Sequence, residues 1–265
     1  MRLPRIQLFE LEDLPWFPGT IRDMATDYLE FINSRLALHG PMMAPLCEAL
    51  KQSRATGVVD LCSGAGGPVA AIYESLLARG EPIPFVLTDR FPNVAAFLRL
   101  ASRYGPAISF SQAPIAATAP PATLVGLRTM FNAFHHFPPE AARTVLAHAV
   151  EARAPIAIFE ISERTFATIL LICFAPLMVA VATPFIRPFL WRRLLWTYLL
   201  PLVPLMCLWD GLVSQFRAYT SQEMVQLTRG LDEYKWHVNR VATRFGSLTY
   251  LWGVAANLDS VRRQA

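Results

Sequence analysis

The sequence predicts a doubly wound α/β fold: a mostly parallel sheet with helices on both faces, an N-terminal helical cap and an antiparallel edge. Three observations predict it. Short apolar runs alternate with helix-like runs from Gly57 to Ser162, the pattern of a parallel sheet covered on both sides. A glycine-rich turn, "VVDLCSGAGGP", ends the first strand and opens the first helix of that alternation. Two strand-like runs near the C-terminus are joined through Arg244-Phe245-Gly246, so the sheet is expected to close with an antiparallel pair.

The elements follow in order. Residues 1–54 read as a helical cap: "TIRDMATDYLEFINSRLALHGPMMAPLCEAL" spaces its apolar residues helically, with Pro15 and Pro18 before it and Gly40-Pro41 in its middle. Residues 55–164 form the α/β core. "GVVDLC" is its first strand, "PVAAIYESLLARG" a helix stopped at Gly80, and "PFVLTD" the second strand. "FPNVAAFLRLASRYG" is the next helix, "AISFSQ" the third strand, and "LVGLRTMFNAF" holds the fourth. "PPEAARTVLAHAVEAR" is a helix and "PIAIFEIS" the fifth strand. Residues 165–209 are a hydrophobic helical segment. Residues 210–265 return to ordinary composition, with the capped helix "TSQEMVQLTRGL" and the strands "YKWHVNRVAT" and "SLTYLWGVAAN", the last ending at Asn257.

Composition narrows the function. Charged residues are only 17 % of the 265 and apolar ones 54 %, with a formal charge of +4; about 25 % charged is usual. The basic residues are scattered and nearly all Arg, Lys51 and Lys235 being the only lysines. Without a basic run or interleaved aromatics, nucleic acid is excluded as an expected partner. Cys47, Cys62, Cys173 and Cys207 form no CxxC pair and no zinc-spaced cluster, so no metal is expected. The N-terminal stretch carries acids and lacks an apolar core, so no signal peptide is expected there, and the cofactor-binding half is expected in the reducing cytosol.

In a doubly wound sheet the ligand sits at the carboxyl ends of the strands. The turn after the first strand lacks the G-x-G-x-x-G spacing of a dinucleotide site, because Gly64, Gly66 and Gly67 are followed by Pro68, and it has no Walker lysine. A nucleotide-cofactor oxidoreductase is therefore disfavoured. Instead the string resembles motif I of the class I S-adenosylmethionine (SAM)-dependent methyltransferases, with Asp60 as the strand acid and Gly64 and Gly66 as the turn. Cys62 replaces the first glycine of the usual pattern, and is expected to fit with a negative φ. "FVLTDRFPN" is the second match: Asp89, the only carboxylate between Glu81 and Glu140, stands where an acid receives the ribose hydroxyls, with Arg90 beside it. The third-strand acid of the family is missing from "SQAPIAATAPP", leaving Gln112 or a backbone carbonyl for the adenine. "TMFNAFHHFPPEAARTVLAHAV" is similar to the His-His segment of small-molecule methyltransferases.

The resemblance spans roughly Val58 to Asn257 and implies a Rossmann-like seven-stranded methyltransferase sheet, SAM as cofactor, and methyl transfer to an acceptor. It places His136, His135 and Asn132 near the transferred methyl: His136 as a base, with packing as the competing reading, and Asn132 orienting the acceptor or the methionine amine. Glu160, Asp210, Arg217 and Tyr219 are expected on the acceptor rim, with helix capping and surface pairing as the plain alternative. Trp16 and Tyr28, with Phe17, Arg22, Asp23 and Asp27, are candidates for a helical lid over the pocket, against simple cap packing. A non-catalytic SAM-binding protein remains the rival from another class.

Thr165–Ile186 has no charged residue and is long enough to span a bilayer. Three readings compete. A transmembrane hairpin would translocate Arg187, Arg192 and Arg193 and bury Pro176, Pro184, Pro201 and Pro204 in lipid. A monotopic insertion keeps those arginines, with Trp191, Trp196, Tyr198 and Trp209, at headgroup level on the cytoplasmic face. A lid or homodimer interface covers the same surface in solution. The residues favour the monotopic reading, and with it a hydrophobic small-molecule or lipid-like acceptor.

Overall fold

Glycine and proline set the joints of the cap. In a computed structural model describing residues 3–256, helix α1 (Gly19–Arg35) starts after Pro18, and a short turn at Gly40-Pro41 separates it from α2 (Met43–Ser53). Asn257, the end of the last expected strand, and the rest of 257–265 lie outside the described residues, as do Met1 and Arg2.

Strand β1 (Val58–Leu61) is buried at every position and leads through the glycine turn into α3 (Val69–Ala78). Then come β2 (Phe85–Thr88), α4 (Val94–Tyr104), β3 (Ile108–Phe110), β4 (Leu127–Phe131), α5 (Pro139–Glu151) and β5 (Ile156–Glu160). Asn93 caps α4, its side chain accepting from the Ala96 N–H. Helices α6 (Phe166–Ile172), α7 (Ala175–Ala182), α8 (Trp191–Leu194) and α9 (Leu202–Arg217) follow. The expected boundary at 209/210 falls inside α9. Helix α10 (Ser221–Thr228) carries the capping box anticipated at "TSQE": the Thr220 hydroxyl accepts from the Glu223 N–H and Glu223 reaches back to Thr220. Strands β6 (Tyr234–Thr243) and β7 (Gly246–Ala255) form the closing hairpin.

The strands make one seven-stranded sheet in the order β3-β2-β1-β4-β5-β7-β6. β1 to β5 are parallel, and β7 is antiparallel to β5 and β6. The winding direction reverses between β1 and β4, so the ligand crevice of this topology opens above Leu61 and Phe131. One face of the sheet packs on Leu46, Ile72, Leu76 and Phe97 from α2 to α4; the other packs on Val145, Leu146 and Met224 from α5 and α10.

A third cluster lies off the sheet. Ile21, Met24, Ala25 and Tyr28 of α1 pack against Val179, Ala182, Ile186, Val203 and Met206. Within it Arg193 is buried and donates to Asp27 Oδ2 at 2.8 Å and to the Ile186 and Pro188 carbonyls. Asp27 also receives Arg99 of α4 at 2.8 Å, so one carboxylate ties the cap, the sheet domain and the 165–209 segment together.

That segment is helical but broken. Helices α6 and α7 bend by 41° at Cys173-Phe174, and a π-helical turn, Leu195–Leu199, precedes a 69° break into α9. No single described helix is long and apolar enough to cross a membrane; the two bent pairs pass only when each is taken together.

Candidate functional site: the carboxyl ends of β1, β2 and β4

The glycine turn needs backbone that other residues resist. Gly64 has φ +56° and Gly66 φ +99°, and a Cβ on Gly66 would meet Leu100 Cδ1 at 2.3 Å. Cys62 also lies in the left-handed region, at φ +62°. This corrects the expected negative φ: Cys62 adopts the conformation of the glycine it replaces.

Asp60 is buried, its Oδ1 accepting from the Thr129 hydroxyl of β4 at 2.8 Å, and its main-chain carbonyl accepting from Ser63 and Thr88. Burial raises its carboxyl to about 7, against the opposing hydrogen bonds of Ser63 and Thr129. Asp89 braces the turn. Its Oδ2 accepts from the Gly64 N–H at 2.7 Å and its Oδ1 from the Phe91 N–H at 2.7 Å. It is half-buried, and each oxygen keeps capacity for a further hydrogen bond. Arg90 is exposed over the Phe91 ring, which Arg22 of α1 covers at 4.1 Å. Thr26 of α1 stands over Gly64. Gln112 is exposed on the loop after β3.

The loop after β4 is held by charge. Asn132, at φ +53°, turns the chain; its Oδ1 accepts from the Ile161 and Ser162 N–H groups and the Ser162 hydroxyl. The expected acceptor-orienting oxygen is therefore engaged in joining β4 to the end of β5. Glu160 is fully buried rather than on a rim: Oε1 accepts from the Phe134 N–H at 2.6 Å, and Oε2 pairs with His135 Nδ1 at 2.7 Å. His135 and His136 stack at 4.5 Å.

Sequence reasoning missed their partners. Residues 3–13 cross the carboxyl ends as a strap. Leu3 N–H donates to the Arg164 carbonyl and Ile6 N–H to that of Phe216, while the Leu11 and Glu12 N–H groups donate to Asp210 at 2.7 and 3.1 Å. Asp210 thus caps the turn at 11–13, and burial raises its carboxyl to about 7. The strap brings Glu10, Glu12 and Asp13 to the histidines. His136 Nδ1 lies 2.6 Å from Glu10 Oε2 and 3.1 Å from Asp13 Oδ1, and its Nε2 is 3.2 Å from Glu12 Oε1. Burial opposes a charge there, but Glu10, Asp13 and Glu12 outweigh it and hold the imidazole proton well above its ordinary range. Both ring nitrogens of His136 thus face carboxylates of the strap rather than open crevice. Burial pushes Glu12 up to about 8.

Arg217 is buried, donating to Asp13 Oδ2 at 2.9 Å and to the His135 and His136 carbonyls. The Tyr219 hydroxyl donates to the Phe137 carbonyl at 2.7 Å under the Arg5 guanidinium. Both are structural struts of the loop rather than rim groups. Trp16 is 73 % exposed, packed edgewise on Phe17, and Tyr28 is buried against the apolar helices; neither lines a pocket at the crevice.

The one hint of the strap in the sequence is "FELED", three acids in four residues. Its consequence is electrostatic. Burial raises the Cys62 thiol, and Asp89, Asp60, Asp13 and Glu12 raise it further. Four carboxylates therefore act on the glycine turn.

No family model matches the sequence, and no curated protein matches it. Solved structures do. The magnesium protoporphyrin IX methyltransferase ChlM from Synechocystis PCC 6803, with bound SAM, is 11 % identical; the match covers 95 % of this chain and 100 % of that one, at a TM-score of 0.51. LaPhzM is 16 % identical over 85 % of this chain, also at 0.51, and this chain spans 57 % of its length. The chain spans 45 % of the citrinin polyketide synthase CMeT domain structure, at a TM-score of 0.46. The strand order, the glycine turn at the switch point and the first of these matches, end to end along both chains, agree: the chain has the fold of the class I SAM-dependent methyltransferases.

Proposed function

We propose that this protein is a SAM-dependent methyltransferase whose acceptor is a hydrophobic small molecule or lipid-like molecule met at a membrane surface. One observation carries the cofactor assignment: the Asp89 carboxylate clamps the Gly64 turn at the switch point through its Oδ2. SAM supplies an electrophilic methyl group on a sulfonium cation. The residues suit it, because Gly66 leaves room only for backbone beside Leu100 and Asp89 has lone pairs left for ribose hydroxyls. Thr26 of α1 lies over Gly64, and Arg22 of α1 over Phe91. Catalysis in this reading is alignment of acceptor and methyl.

The acceptor assignment is supported by the surface. Phe166, Leu170, Leu171, Phe174, Leu177 and Val181 are more than half exposed on α6 and α7, and Trp191 is 77 % exposed on α8. Broken helices with this outward face, beside Arg187 and Arg192, suit one leaflet and its headgroups. The proposed location is the cytoplasmic face of a membrane, with a homodimer through the same surface as the alternative.

Titration calorimetry tests the cofactor. SAM or its demethylated product is expected to bind, and Asp89→Ala to weaken it by about 1.5–3 kcal/mol; heat from NAD alone would overturn the assignment. Flotation with anionic vesicles tests the surface. The wild type is expected to float and the double variant Phe174→Glu, Leu177→Glu to stay in solution. A wild type that stays in solution as a dimer would favour the alternative.

A further inference from the structure

The cluster under the strap has a feature that a proton does not explain. A carboxylate can only accept, so at 2.7 Å from Glu160 Oε2 the His135 Nδ1 must donate. With Nδ1–H committed there, His135 Nε2 is the ring nitrogen left for another partner, and it faces Glu10 Oε1 3.8 Å away. That separation is too long for a hydrogen bond. The other Glu10 oxygen, Oε2, is buried without a well-formed hydrogen bond although it lies 2.6 Å from His136 Nδ1. Glu10 itself is 0 % exposed. A fully buried carboxylate thus lies between two imidazoles, its Oε1 also accepting from the Ser214 hydroxyl at 3.1 Å and its Oε2 unpartnered, with all three donor groups within 4.8 Å of one another.

We propose that Glu10, His135 and His136 form a two-histidine, one-carboxylate site for a divalent first-row metal ion such as Zn2+. Metal–ligand bonds to imidazole and carboxylate are about 2.0–2.2 Å, so two donors of a tetrahedral shell stand about 3.3–3.5 Å apart, a few tenths of an ångström closer than the 3.8 Å between Glu10 Oε1 and His135 Nε2. The donor set suits zinc and its neighbours rather than Ca2+ or Mg2+, which take oxygen shells. The surroundings suit a dication. Glu10, Glu12, Asp13 and Glu160 bring four carboxylates within reach of the histidines, and Arg217 returns one fixed positive charge, through Asp13 and Glu10. Glu160 orients His135 as carboxylates orient metal-bound histidines elsewhere. Asp13 Oδ1, 3.1 Å from His136 Nδ1, is at hand as a fourth ligand. The ion replaces the imidazole proton and links the strap to the loop after β4, independently of the cofactor assignment.

Cobalt reports on such a site without any activity assay. The full chain is stripped with EDTA, loaded with Co2+ and passed through gel filtration. One retained equivalent with visible ligand-field bands, displaced by Zn2+, is the expected result. His136→Asn, at the half-buried ring, is expected to weaken Co2+ retention at least tenfold while the chain stays folded by circular dichroism. His237→Asn, on β6, is expected to change nothing. Glu10→Gln should abolish the bands; if it fails to fold, His136→Asn decides alone. A folded wild type that retains no Co2+, or equal retention by His136→Asn, overturns the site.

Discussion

Strand β5, "IAIFE", and helix α7, "APLMVAVA", are both dominated by apolar residues, yet their fates are opposite. Every residue of β5 is buried. Helix α7 buries Val179 and Ala182 against α1 and α9 and exposes Leu177, Met178 and Val181. The strand has helices on both faces and strands on both sides; the helix has a partner on one side only. In the first region apolar composition signals core; in the second, part of the same composition stays exposed on the described surface.

Substitutions can break that contrast. Phe159, fully buried and stacked on Phe131 at 5.2 Å, should lose about 3–5 kcal/mol on change to Ala, read by urea unfolding. A loss below 1 kcal/mol would mean that the β5 layer is looser than its packing. Next in size is Arg193→Ala, which removes the buried partner of Asp27. Breaking a buried pair costs about 3–5 kcal/mol, and because Asp27 keeps Arg99 the low end is expected. The proteolysis rate of the 165–209 segment should rise in parallel; unchanged proteolysis would mean that the segment is held by apolar contacts alone.

Acidity sharpens the comparison in the polar layer. Burial raises Asp60 and Asp210 to about 7 and Glu12 to about 8, and the neighbouring carboxylates raise His136. Each group holds its proton more tightly folded than unfolded. Stability should therefore fall as pH rises from the ordinary carboxylate range for the three acids, and from about 6.5 for His136, through their folded values. In the metal-free protein the unfolding midpoint should drop as pH rises from about 4 through about 8, and His136→Asn should flatten the part of the decline above about 6.5. An equal slope in the variant would show that the ring is not held as a cation. The smallest effect is expected on α7: Leu177→Glu should move folding stability by no more than about 0.5 kcal/mol. A larger loss, measured by thermal unfolding without lipid, would place Leu177 in a packed interface.

Much of the fold was legible because its signals are local. Alternating runs, Gly80 as a helix stop, the Thr220–Glu223 capping box and the hairpin at 244–246 all act within a few residues. The glycine turn was legible because Gly64 and Gly66 are required by backbone conformation. The site around the histidines was only half legible. His136 and Asp13 are 123 positions apart in sequence, and three acids in "FELED" read like any solvated stretch until the strap is folded across the sheet. Glu160, Arg217 and Tyr219 stood at the expected ends of their elements, yet whether they point to solvent or inward is not written in spacing.

The sequence by itself determined the strand succession, the glycine turn and the acid after β2, because each rests on short-range periodicity or on a backbone angle that one residue type tolerates best. Tertiary structure alone decided that Cys62 takes a left-handed φ, that His136 lies among carboxylates, and that 165–209 buries one apolar face on α1 and leaves another exposed. The physical reason is range. Hydrogen-bonded backbone patterns are set within a few residues, whereas burial, charge pairing and the proton they control depend on which distant segments meet.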